Sequence, residues 1–384
     1  MIDRNTIIGF DAKRIVSNNT GLGSYSRTLV NDLAAATEAR LLLFAPTSGR
    51  TELRGQIAER ENVEFVYPRY LFDNRLWHKL AGSRWRSAGM VDDLAKHNVA
   101  LFHGLSGELP KGLKASGTAS VVTIHDLIFL RHPEFYNPID VAIYRRKFLR
   151  TLAEADRIIA ISECTKRDIL HYGEFAEDKI SVIYQSCGTR FGAPVPKDEL
   201  QEAARRYHLP EHYMLCVGTI EERKNAALAV KALPLLPREL HLVVLGRPTK
   251  YKKVVENEAM RLGVTDRLHF LHGVANDHLA AIYRQADCFV YPSRYEGFGI
   301  PIIEAIQSGL PVVAATGSCL EEAGGPDSLY VSPDDSEALA AAVVRSIDER
   351  QMRVERSRNY VKRFENTGVA RQVMGIYEDL LSRK

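Results

Sequence analysis

Short apolar runs alternate with longer amphipathic runs along the whole chain, and this alternation constrains the fold more than any other feature. The amphipathic runs, such as Gly23–Ala36 and Ile139–Ala153, have the spacing of helices. Strands that alternate with helices form parallel sheets with the helices packed on their faces. The predicted strands are Ile7–Asp11, Leu41–Ala45, Ala100–His103, Val121–His125, Ile158–Ile161 and Ile180–Tyr184 in the first half, and Tyr213–Val217, Leu240–Leu245, Leu268–Leu271, Phe289–Tyr291 and Val312–Ala314 in the second. The sequence therefore predicts an α/β protein with two Rossmann-like domains.

A chain of 384 residues is too long for one ordinary hydrophobic core. The segment Gly188–Pro196 is rich in Gly and Pro and has no helical or strand period, so we place the domain boundary there. The predicted domains are residues 1–188 and 197–366, and a last helix follows at about Thr367–Leu381. Because α/β sheets bind ligands at the carboxyl ends of their strands, the expected ligand site is a cleft between the two domains.

Composition excludes several classes of protein. Hydrophobic residues make up 45% of the chain and charged residues 26%, as in an ordinary globular protein. The 51 basic and 48 acidic residues nearly balance, and there is neither a basic tail nor a zinc-binding spacing, so no nucleic-acid partner is expected. Five cysteines without a C-x-x-C pair predict buried free thiols in a reducing cytosol. We find no leader pattern and no apolar run approaching about 20 residues, so a cytoplasmic location is expected.

The strongest chemical signal is a pair of glutamates, Glu296 and Glu304. Glu296 precedes a turn made of Gly297, Phe298 and Gly299, and Glu304 lies inside the helix predicted to follow. Backbone N–H groups at such a turn and at a helix N-terminus favour a phosphate, and a carboxylate accepts hydrogen bonds from a vicinal diol. A ligand with both groups is a sugar nucleotide. Taken alone, the pair leaves an ordinary capping role open.

Three other patterns also lie where predicted strands end. Arg223 and Lys224 bring two cations to the start of a helix, where a diphosphate would lie. Gly21 and Gly23 precede the first long helix, and a residue without Cβ lets the backbone approach a phosphate closely. His125 ends a strongly apolar strand, at the mouth of the sheet. Each pattern has an ordinary alternative, namely a solvated basic pair, a helix-entry turn and a structural histidine.

Four motifs together make the chain recognisable: Thr20–Tyr25, Ile124–Leu127, Val217–Asn225 and Glu296–Glu304. In this combination the sequence resembles the retaining glycosyltransferases of family 4, which are two-domain GT-B enzymes with nucleotide-sugar donors. The motif Gly-Thr-x-Glu-x-Arg-Lys-Asn is most similar to the corresponding motif in the branch of the family that contains bacterial mannosyltransferases of surface-polysaccharide synthesis. The resemblance covers almost the whole chain. It implies a GT-B fold whose two domains face each other across a cleft, with residues 367–384 returning to the first, acceptor-binding domain.

The resemblance also implies catalytic roles. His125 would touch the donor sugar near the reacting carbon, and Asp126 would orient it or the following loop. His103, at the end of the preceding strand, is a weaker candidate for the same face. Glu296 would hold sugar hydroxyls and favour positive charge at the anomeric carbon, while Glu304 would hold the ribose.

In the same resemblance Arg223 and Lys224 balance the charge on the departing diphosphate. Many relatives carry an arginine where this chain has Thr219, so Arg223 is expected to take more of the phosphate load. The backbone around Val274 would contact the nucleobase. The predicted donor-binding residues are Gly21, Gly23, Gly218, Thr219, Val274, Gly297, Phe298, Gly299 and Glu304.

No Asp-x-Asp sequence occurs, so we expect neither a metal ion nor a cofactor. The resemblance implies retention through front-face attack, with the leaving phosphate accepting the acceptor's proton. The predicted activity is hexosyl transfer, best described as mannosyl transfer from GDP-mannose to a glycan or lipid-linked acceptor in cell-surface polysaccharide synthesis. Three alternatives stay open: a UDP-sugar-dependent glucosyl- or N-acetylhexosaminyltransferase, a GT-B-like sugar-nucleotide epimerase, and a silent nucleotide-sugar-binding protein.

Residues 69–86 suggest contact with a membrane. They contain five Arg or Lys against one acid, and both tryptophans, Trp77 and Trp85. Basic residues interleaved with aromatics suit an anionic lipid surface, here the cytoplasmic face of the inner membrane, or a lipid-diphosphate acceptor. The ordinary alternative is a surface helix with buried aromatics.

Overall fold

The computed structural model describes residues 2–69, 81–187, 189–365 and 368–383. The chain divides into two compact units, Met1–Gln185 with Gly368–Lys384, and Ser186–Thr367. The predicted boundary segment begins at Gly188, which lies outside the described residues. Each unit has its own parallel sheet with helices around it, which confirms the predicted α/β fold of two Rossmann-like domains.

The sheet of the first unit has seven parallel strands in the order β3-β2-β1-β4-β5-β6-β7. β1 pairs with both β2 and β4, so β2 and β3 lie on one side of β1 and all later strands lie on the other side. The point between β1 and β4, where the order of the strands along the sheet reverses, is the topological switch point. Ligands of open α/β sheets bind at such a reversal. The strands are β1 Ile7–Asp11, β2 Arg40–Phe44, β3 Val63–Val66, β4 Leu101–Gly104, β5 Ala119–Ile124, β6 Arg157–Ala160 and β7 Ile180–Val182.

The sheet of the second unit has six parallel strands in the order β10-β9-β8-β11-β12-β13. Here the reversal lies between β8 and β11, which pair through Cys288 with Met214 and Phe289 with Leu215. The strands are β8 His212–Val217, β9 Leu240–Leu245, β10 Leu268–Leu271, β11 Cys288–Tyr291, β12 Val312–Ala315 and β13 Leu329–Val331.

All predicted strands are present, and their ends agree with the prediction to within two residues. The structure has two further strands that were not predicted. Both of these, β3 and β13, lie at an edge of their sheet. Their side chains are mostly half-buried, and Glu64 interrupts the apolar run of β3. An edge strand packs less against neighbours, so its sequence carries a weaker apolar signal.

Helices cover the faces of both sheets. The helix Gly21–Ala36 shares a hydrophobic core with the last helix, in which Val373 and Tyr377 are fully buried. The chain thus returns to the first unit, as the predicted fold requires. The described α-helices are Lys13–Ser17, Gly21–Ala36, Thr51–Arg54, Met90–Lys96, Ile128–Arg131, Pro138–Glu154, Glu163–Tyr172, Lys197–Tyr207, Ala226–Ala232, Lys252–Arg261, Asn276–Gln285, Ile300–Gln307, Leu320–Gly324, Ser336–Asp348, Arg350–Val361 and Val369–Ser382.

The five cysteines are buried and no two of them form a disulfide, as predicted; they are Cys164, Cys187, Cys216, Cys288 and Cys319. No helix within the described ranges is both long and apolar enough to span a membrane. Most of the predicted lipid-facing segment, residues 70–80 with Trp77, lies outside the described residues. Trp85 is buried, and its indole N–H donates a hydrogen bond to Asp93 Oδ2 at 2.7 Å, so this tryptophan belongs to the core.

Candidate functional site

The second unit brings Arg223, Lys224 and Glu296 together at the reversal of its strand order. Arg223 and Lys224 lie in a short 3-10 turn, Glu222–Lys224, that follows β8, and Glu296 lies in the loop that follows β11. Because β8 and β11 are neighbours with parallel direction, both loops leave the same edge of the sheet. Glu296 therefore shares one site with Lys224 and Arg223, which lie 72 and 73 positions earlier in the chain.

These three side chains form an ion-pair cluster that is largely buried, with 11–16% of each side chain exposed. Glu296 Oε2 lies 2.9 Å from Arg223 Nη1, and Glu296 Oε1 lies 2.5 Å from Lys224 Nζ. Lys224 Nζ also donates to the hydroxyl of Tyr291 at 2.6 Å, and the other Arg223 nitrogen pairs with Glu221 Oε1 at 2.7 Å. The sequence predicted the two cations and the carboxylate but not that they pair with each other.

Each of the three side chains is stabilised in its ionised form by the opposite charge beside it. Burial opposes ionisation of Glu296, but the nearby charges of Lys224 and Arg223 outweigh it and lower the pKa of Glu296 to about 2. Burial likewise disfavours the charged forms of Arg223 and Lys224, and Glu296 reverses this by raising the pKa of both. The cluster therefore holds two fixed cations around one carboxylate at any physiological pH.

Asn225 connects the two loops that carry the cluster. Its side-chain amide donates to Pro292 O at 3.1 Å and to Pro333 O at 2.8 Å. Its backbone has a φ of 56°, a left-handed conformation that asparagine adopts more readily than most residues. The backbone N–H of Arg294 adds a 2.8 Å bond to Arg223 O. These contacts fix the position of the cations relative to Glu296.

Glu304 lies in the helix Ile300–Gln307, as predicted. Its Oε2 accepts a 3.1 Å hydrogen bond from the hydroxyl of Tyr283. Burial raises the pKa of Glu304 to about 7, although the Tyr283 hydrogen bond and the charge of Arg190 act in the opposite direction. Within the described residues Glu304 forms no ion pair, unlike Glu296.

Backbone geometry explains part of the glycine pattern in this unit. Gly299 has a φ of 140°, and a Cβ there would lie 3.0 Å from Ala323 Cβ. Gly218, with a φ of 145°, lies beside the Lys224 side chain. Phe298 packs edge-on against Phe364 with ring centroids 5.3 Å apart.

The other predicted donor-binding residues of this unit are also at strand ends. Thr219 follows Gly218 after β8, and its side chain is half-buried. Val274 is likewise half-buried, between β10 and the helix Asn276–Gln285. Gly297 lies in the turn directly after Glu296.

In the first unit His125 follows β5 and is 8% exposed. Its Nε2 donates to the carbonyl of Leu105 at 2.9 Å, so Nδ1 is left to accept a 3.1 Å bond from the Gln185 amide. Tyr25 packs edge-on against the ring, with centroids 4.8 Å apart. Burial lowers the pKa of His125 to about 4, so the imidazole is neutral at pH 7.

His103 differs from His125 in its surroundings. It is fully buried, its Nδ1 lies 2.5 Å from the Tyr377 hydroxyl, and its Nε2 lies 2.8 Å from Thr123 Oγ1. Burial lowers its pKa to about 3. His103 is the weaker candidate for the site, and these contacts tie the last helix to the sheet. Asp126 accepts a 3.2 Å bond from the Ile128 N–H, which orients the following loop.

Gly21 and Gly23, at the start of the helix Gly21–Ala36, differ in how much space surrounds them. A Cβ at Gly23 would lie 1.8 Å from Asn18 O, so the backbone packing excludes any side chain there. A Cβ at Gly21 would meet nothing within 4 Å. Packing therefore explains Gly23, whereas no described neighbour excludes a side chain at Gly21.

A pocket of about 200 Å³ lies beside His125 in the first unit. Glu108 in its wall pairs with Lys147 at 3.2 Å and with Arg86 at 2.8 Å, and Arg86 in turn pairs with the buried Asp11 at 2.5 Å. The lining residues include Arg14, Leu22, Glu108, His125, Asp126, Phe129, Tyr144 and Lys147.

Sequence reasoning missed this network of charged side chains. The available signal was position, because Asp11 ends β1 and Glu108 follows β4, the two strands at the reversal of the first sheet. Nothing local to Arg86 or Lys147 indicates their partners, which lie 75 and 39 residues away.

Two family models match consecutive parts of the chain. Residues 19–187 match the model described as Glycosyltransferase Family 4, and residues 199–363 match Glycosyl transferases group 1. The chain is similar to O-antigen chain mannosyltransferase B of Escherichia coli. The two sequences are 29% identical in an alignment that is 383 residues long and covers 94% of this chain and 96% of the relative.

Solved structures show the same fold. Sucrose-phosphate synthase from Thermosynechococcus elongatus superposes with a TM-score of 0.77 at 20% identity, over 99% of this chain and all of that chain. The Anabaena protein HepE in complex with UDP gives a TM-score of 0.72 at 18% identity, over 98% of this chain and all of that chain. The two family models together cover most of the sequence, and the chain belongs to glycosyltransferase family 4.

Proposed function

We propose that this glycosyltransferase transfers mannose from GDP-mannose, with retention, to a glycan or lipid-linked acceptor in cell-surface polysaccharide synthesis. The observation that carries the proposal is the buried cluster of Arg223, Lys224 and Glu296 at the strand reversal of the second unit. The choice of mannose is supported by the similarity to an O-antigen chain mannosyltransferase.

In this proposal Arg223 and Lys224 offset the charge that develops on the departing diphosphate. Preorganised cations in a buried site stabilise such charge without reorganisation, and their loss typically costs about a hundredfold or more in rate. Glu296 keeps both cations in place and offers its carboxylate to the sugar hydroxyls. Because the charge is balanced by side chains, we propose that the reaction needs no metal ion and no cofactor.

Glu304 serves the ribose in this proposal, and the turn Gly297–Gly299 offers backbone N–H groups to the phosphates. A carboxylate that accepts both ribose hydroxyls must be ionised. Since the pKa of Glu304 is about 7, donor binding would remove its proton over the lower part of the physiological range.

His125 and the adjacent pocket serve the sugar and the acceptor. A neutral imidazole whose Nε2–H faces a backbone carbonyl is not poised as a general base. This supports front-face attack, in which the leaving phosphate accepts the acceptor's proton. Phe129 and Tyr144 offer aromatic surface to an acceptor sugar, and Glu108 offers a carboxylate to its hydroxyls.

The test is a panel of GDP-, UDP- and ADP-sugars, with donor hydrolysis followed first without acceptor and then with mannosyl acceptors, in the presence and absence of EDTA. We expect turnover with GDP-mannose, an α-linked product and no effect of EDTA. Preference for a UDP-sugar would contradict GDP-mannose as the donor. Conversion of the donor sugar into its epimer without transfer would instead favour an epimerase.

We also propose that the enzyme works in the cytoplasm at the inner membrane. The support is the basic and aromatic sequence of residues 69–86, apart from Trp85 and Arg86, which the structure buries. Removing two of its five positive charges, by changing Arg75 and Lys79 to glutamine, should reduce sedimentation with anionic vesicles. Unchanged sedimentation would contradict membrane contact through residues 69–86.

A further inference from the structure

The helix Pro138–Glu154 of the first unit carries an unusual concentration of exposed apolar side chains. In the described residues, ten large apolar side chains are exposed, and four of them lie on this helix: Ile139, Ile143, Tyr144 and Leu149. Ile139 is 71% exposed. Isolated exposed apolar residues are ordinary, but a group on one element of a globular protein marks an interaction surface.

The spacing places apolar and basic residues on one side of the helix. At about 100° per residue, Ile139, Ile143, Arg146 and Leu149 lie within roughly a third of the circumference, with Ala142 among them and Arg145 at the edge. The opposite side is buried through Phe148, Thr151 and Leu152. We define the outward residues Ile139, Ala142, Ile143, Arg145, Arg146 and Leu149 as the lipid face.

The charge of this face is positive. Arg145 and Arg146 are exposed, and within the described ranges no carboxylate forms an ion pair with either of them. Asp140 lies about 100° around the axis from Ile139, outside the face. Glu154 is turned away, because its carboxylate accepts hydrogen bonds from the backbone N–H groups of Gly112 and Lys114.

We propose that the lipid face docks this protein on an anionic bilayer surface. The isoleucines would insert at the boundary between headgroups and acyl chains, while the arginines contact lipid phosphates, which is the usual arrangement of an interfacial amphipathic helix. A protein partner for an exposed apolar face would need carboxylates or a matching apolar surface, but two exposed arginines beside aliphatic side chains fit a layer of phosphates better.

The same helix also forms a wall of the pocket beside His125, through Tyr144, Lys147 and Phe148. A surface that docks at the bilayer would therefore hold this pocket close to the headgroups. A lipid-linked acceptor could then present its sugar to the pocket without leaving the membrane. The docking deepens the proposed location at the inner membrane and is independent of the proposed transfer activity, whereas the presentation of the acceptor rests on that activity.

The experiment measures partition of the full chain onto vesicles of phosphatidylcholine alone, and of phosphatidylcholine with one third phosphatidylglycerol. We expect binding to the anionic vesicles only. The double variant Arg145→Glu/Arg146→Glu should reduce partition by about 25-fold or more, since each basic residue near an anionic surface contributes about fivefold. Ile139→Ser/Ile143→Ser should reduce it by roughly tenfold or more.

Matched controls come from the second unit. Arg205 and Arg206 are adjacent exposed arginines on the helix Lys197–Tyr207, and Met260 is 71% exposed, as Ile139 is. Arg205→Glu/Arg206→Glu and Met260→Ser should leave partition unchanged. Circular dichroism and thermal unfolding check that all variants are folded, which their exposed positions favour.

Three outcomes would overturn the docking: no binding of the unaltered protein to anionic vesicles, an equal loss in the control variants, or a dimer in solution that Ile139→Ser/Ile143→Ser dissociates. Transfer to a water-soluble acceptor is measured in parallel. If the lipid-face variants lose vesicle binding while no variant transfers sugar to any acceptor, the docking stands and the proposed function fails.

Discussion

Two glutamates of the second unit show how strongly surroundings decide the chemistry of a residue type. Glu296 lies between two cations, which lower its pKa to about 2, whereas burial outweighs the charge of Arg190 and raises the pKa of Glu304 to about 7. Opposite charge and desolvation are the two causes, and each dominates at one site. The pair therefore divides between a permanently charged group and a group that titrates near neutrality.

Arg223→Ala should reduce turnover by about a hundredfold or more, because in the proposed function this charge stabilises the leaving diphosphate. Steady-state transfer with the preferred donor provides the measurement. Arg345→Ala, which removes an exposed arginine paired only with Glu349 in the described residues, serves as the control and should retain full turnover. Full turnover of Arg223→Ala would remove this residue from the site.

Glu304 should make the ligand-free protein less stable as pH rises. Its pKa is raised from 4.5 to about 7 in the fold, so the folded state binds more protons than the unfolded state between these values. Stability is then fully present below about pH 4.5 and falls by about 3 kcal/mol as pH rises through 7. Urea unfolding of the protein and of Glu304→Gln, from pH 5 to pH 8, measures the difference.

Glu304→Gln removes the titrating group, so the difference in stability between the two proteins should grow with pH in favour of the variant. GDP should reverse the trend for the unaltered protein, since binding favours the ionised carboxylate. Parallel stability curves for the two proteins would show that Glu304 does not titrate in this range.

At the scale of elements, the site depends on the loops after β8 and β11 being held together. Asn225 does this with two hydrogen bonds to carbonyls of different loops, one after β11 and one after β13. The helix Ala226–Ala232 begins directly after it. A single side chain thus links three strand ends.

Asn225→Gly should destabilise the protein by about 1–3 kcal/mol, the cost of leaving buried polar groups without partners. Glycine tolerates the left-handed backbone at this position, so the loss reports on the hydrogen bonds and not on strain. Asn225→Ala should cost more, because it adds the strain. Equal stability of the glycine variant and the unaltered protein would contradict the linking role.

At the scale of the whole molecule, each unit has its own sheet and core, but the first unit is assembled from two distant parts of the chain. The last helix, Val369–Ser382, supplies Val373 and Tyr377 to the core of the first unit. The bond between Tyr377 and His103 fixes this helix on β4. The first unit is therefore incomplete until the end of the chain has folded onto it.

Tyr377→Ala should lower the stability of the first unit by about 3–5 kcal/mol, as for other large-to-small changes in a core. Tyr377→Phe keeps the ring and should cost about 1–3 kcal/mol, because His103 loses its partner. Thermal unfolding followed by calorimetry measures both, and the exposed neighbour Glu378→Ala is the control. A change of less than about 0.5 kcal/mol for Tyr377→Ala would mean that the helix is not required.

The fold and much of the candidate site could be predicted because their signals are local. Period and composition indicate strands and helices, and the catalytic candidates lie where predicted strands end. The edge strands β3 and β13 were missed because half-burial weakens their apolar pattern. His103 and His125 look alike in the sequence, since each ends an apolar run, and only their burial and hydrogen-bond partners separate them.

The class of fold, the order of its elements, the family and the kinds of side chain at the strand ends all follow from the amino-acid sequence. Three features emerge only in the folded chain: β8 lies beside β11, Glu296 pairs with Arg223 and Lys224, and Ile139 stays exposed while Trp85 is buried. The two sets of features differ in the distance along the chain over which their causes act. Periodicity reports on which side of an element is buried, whereas ion pairs and pKa values depend on groups that the fold brings together from distant parts of the chain.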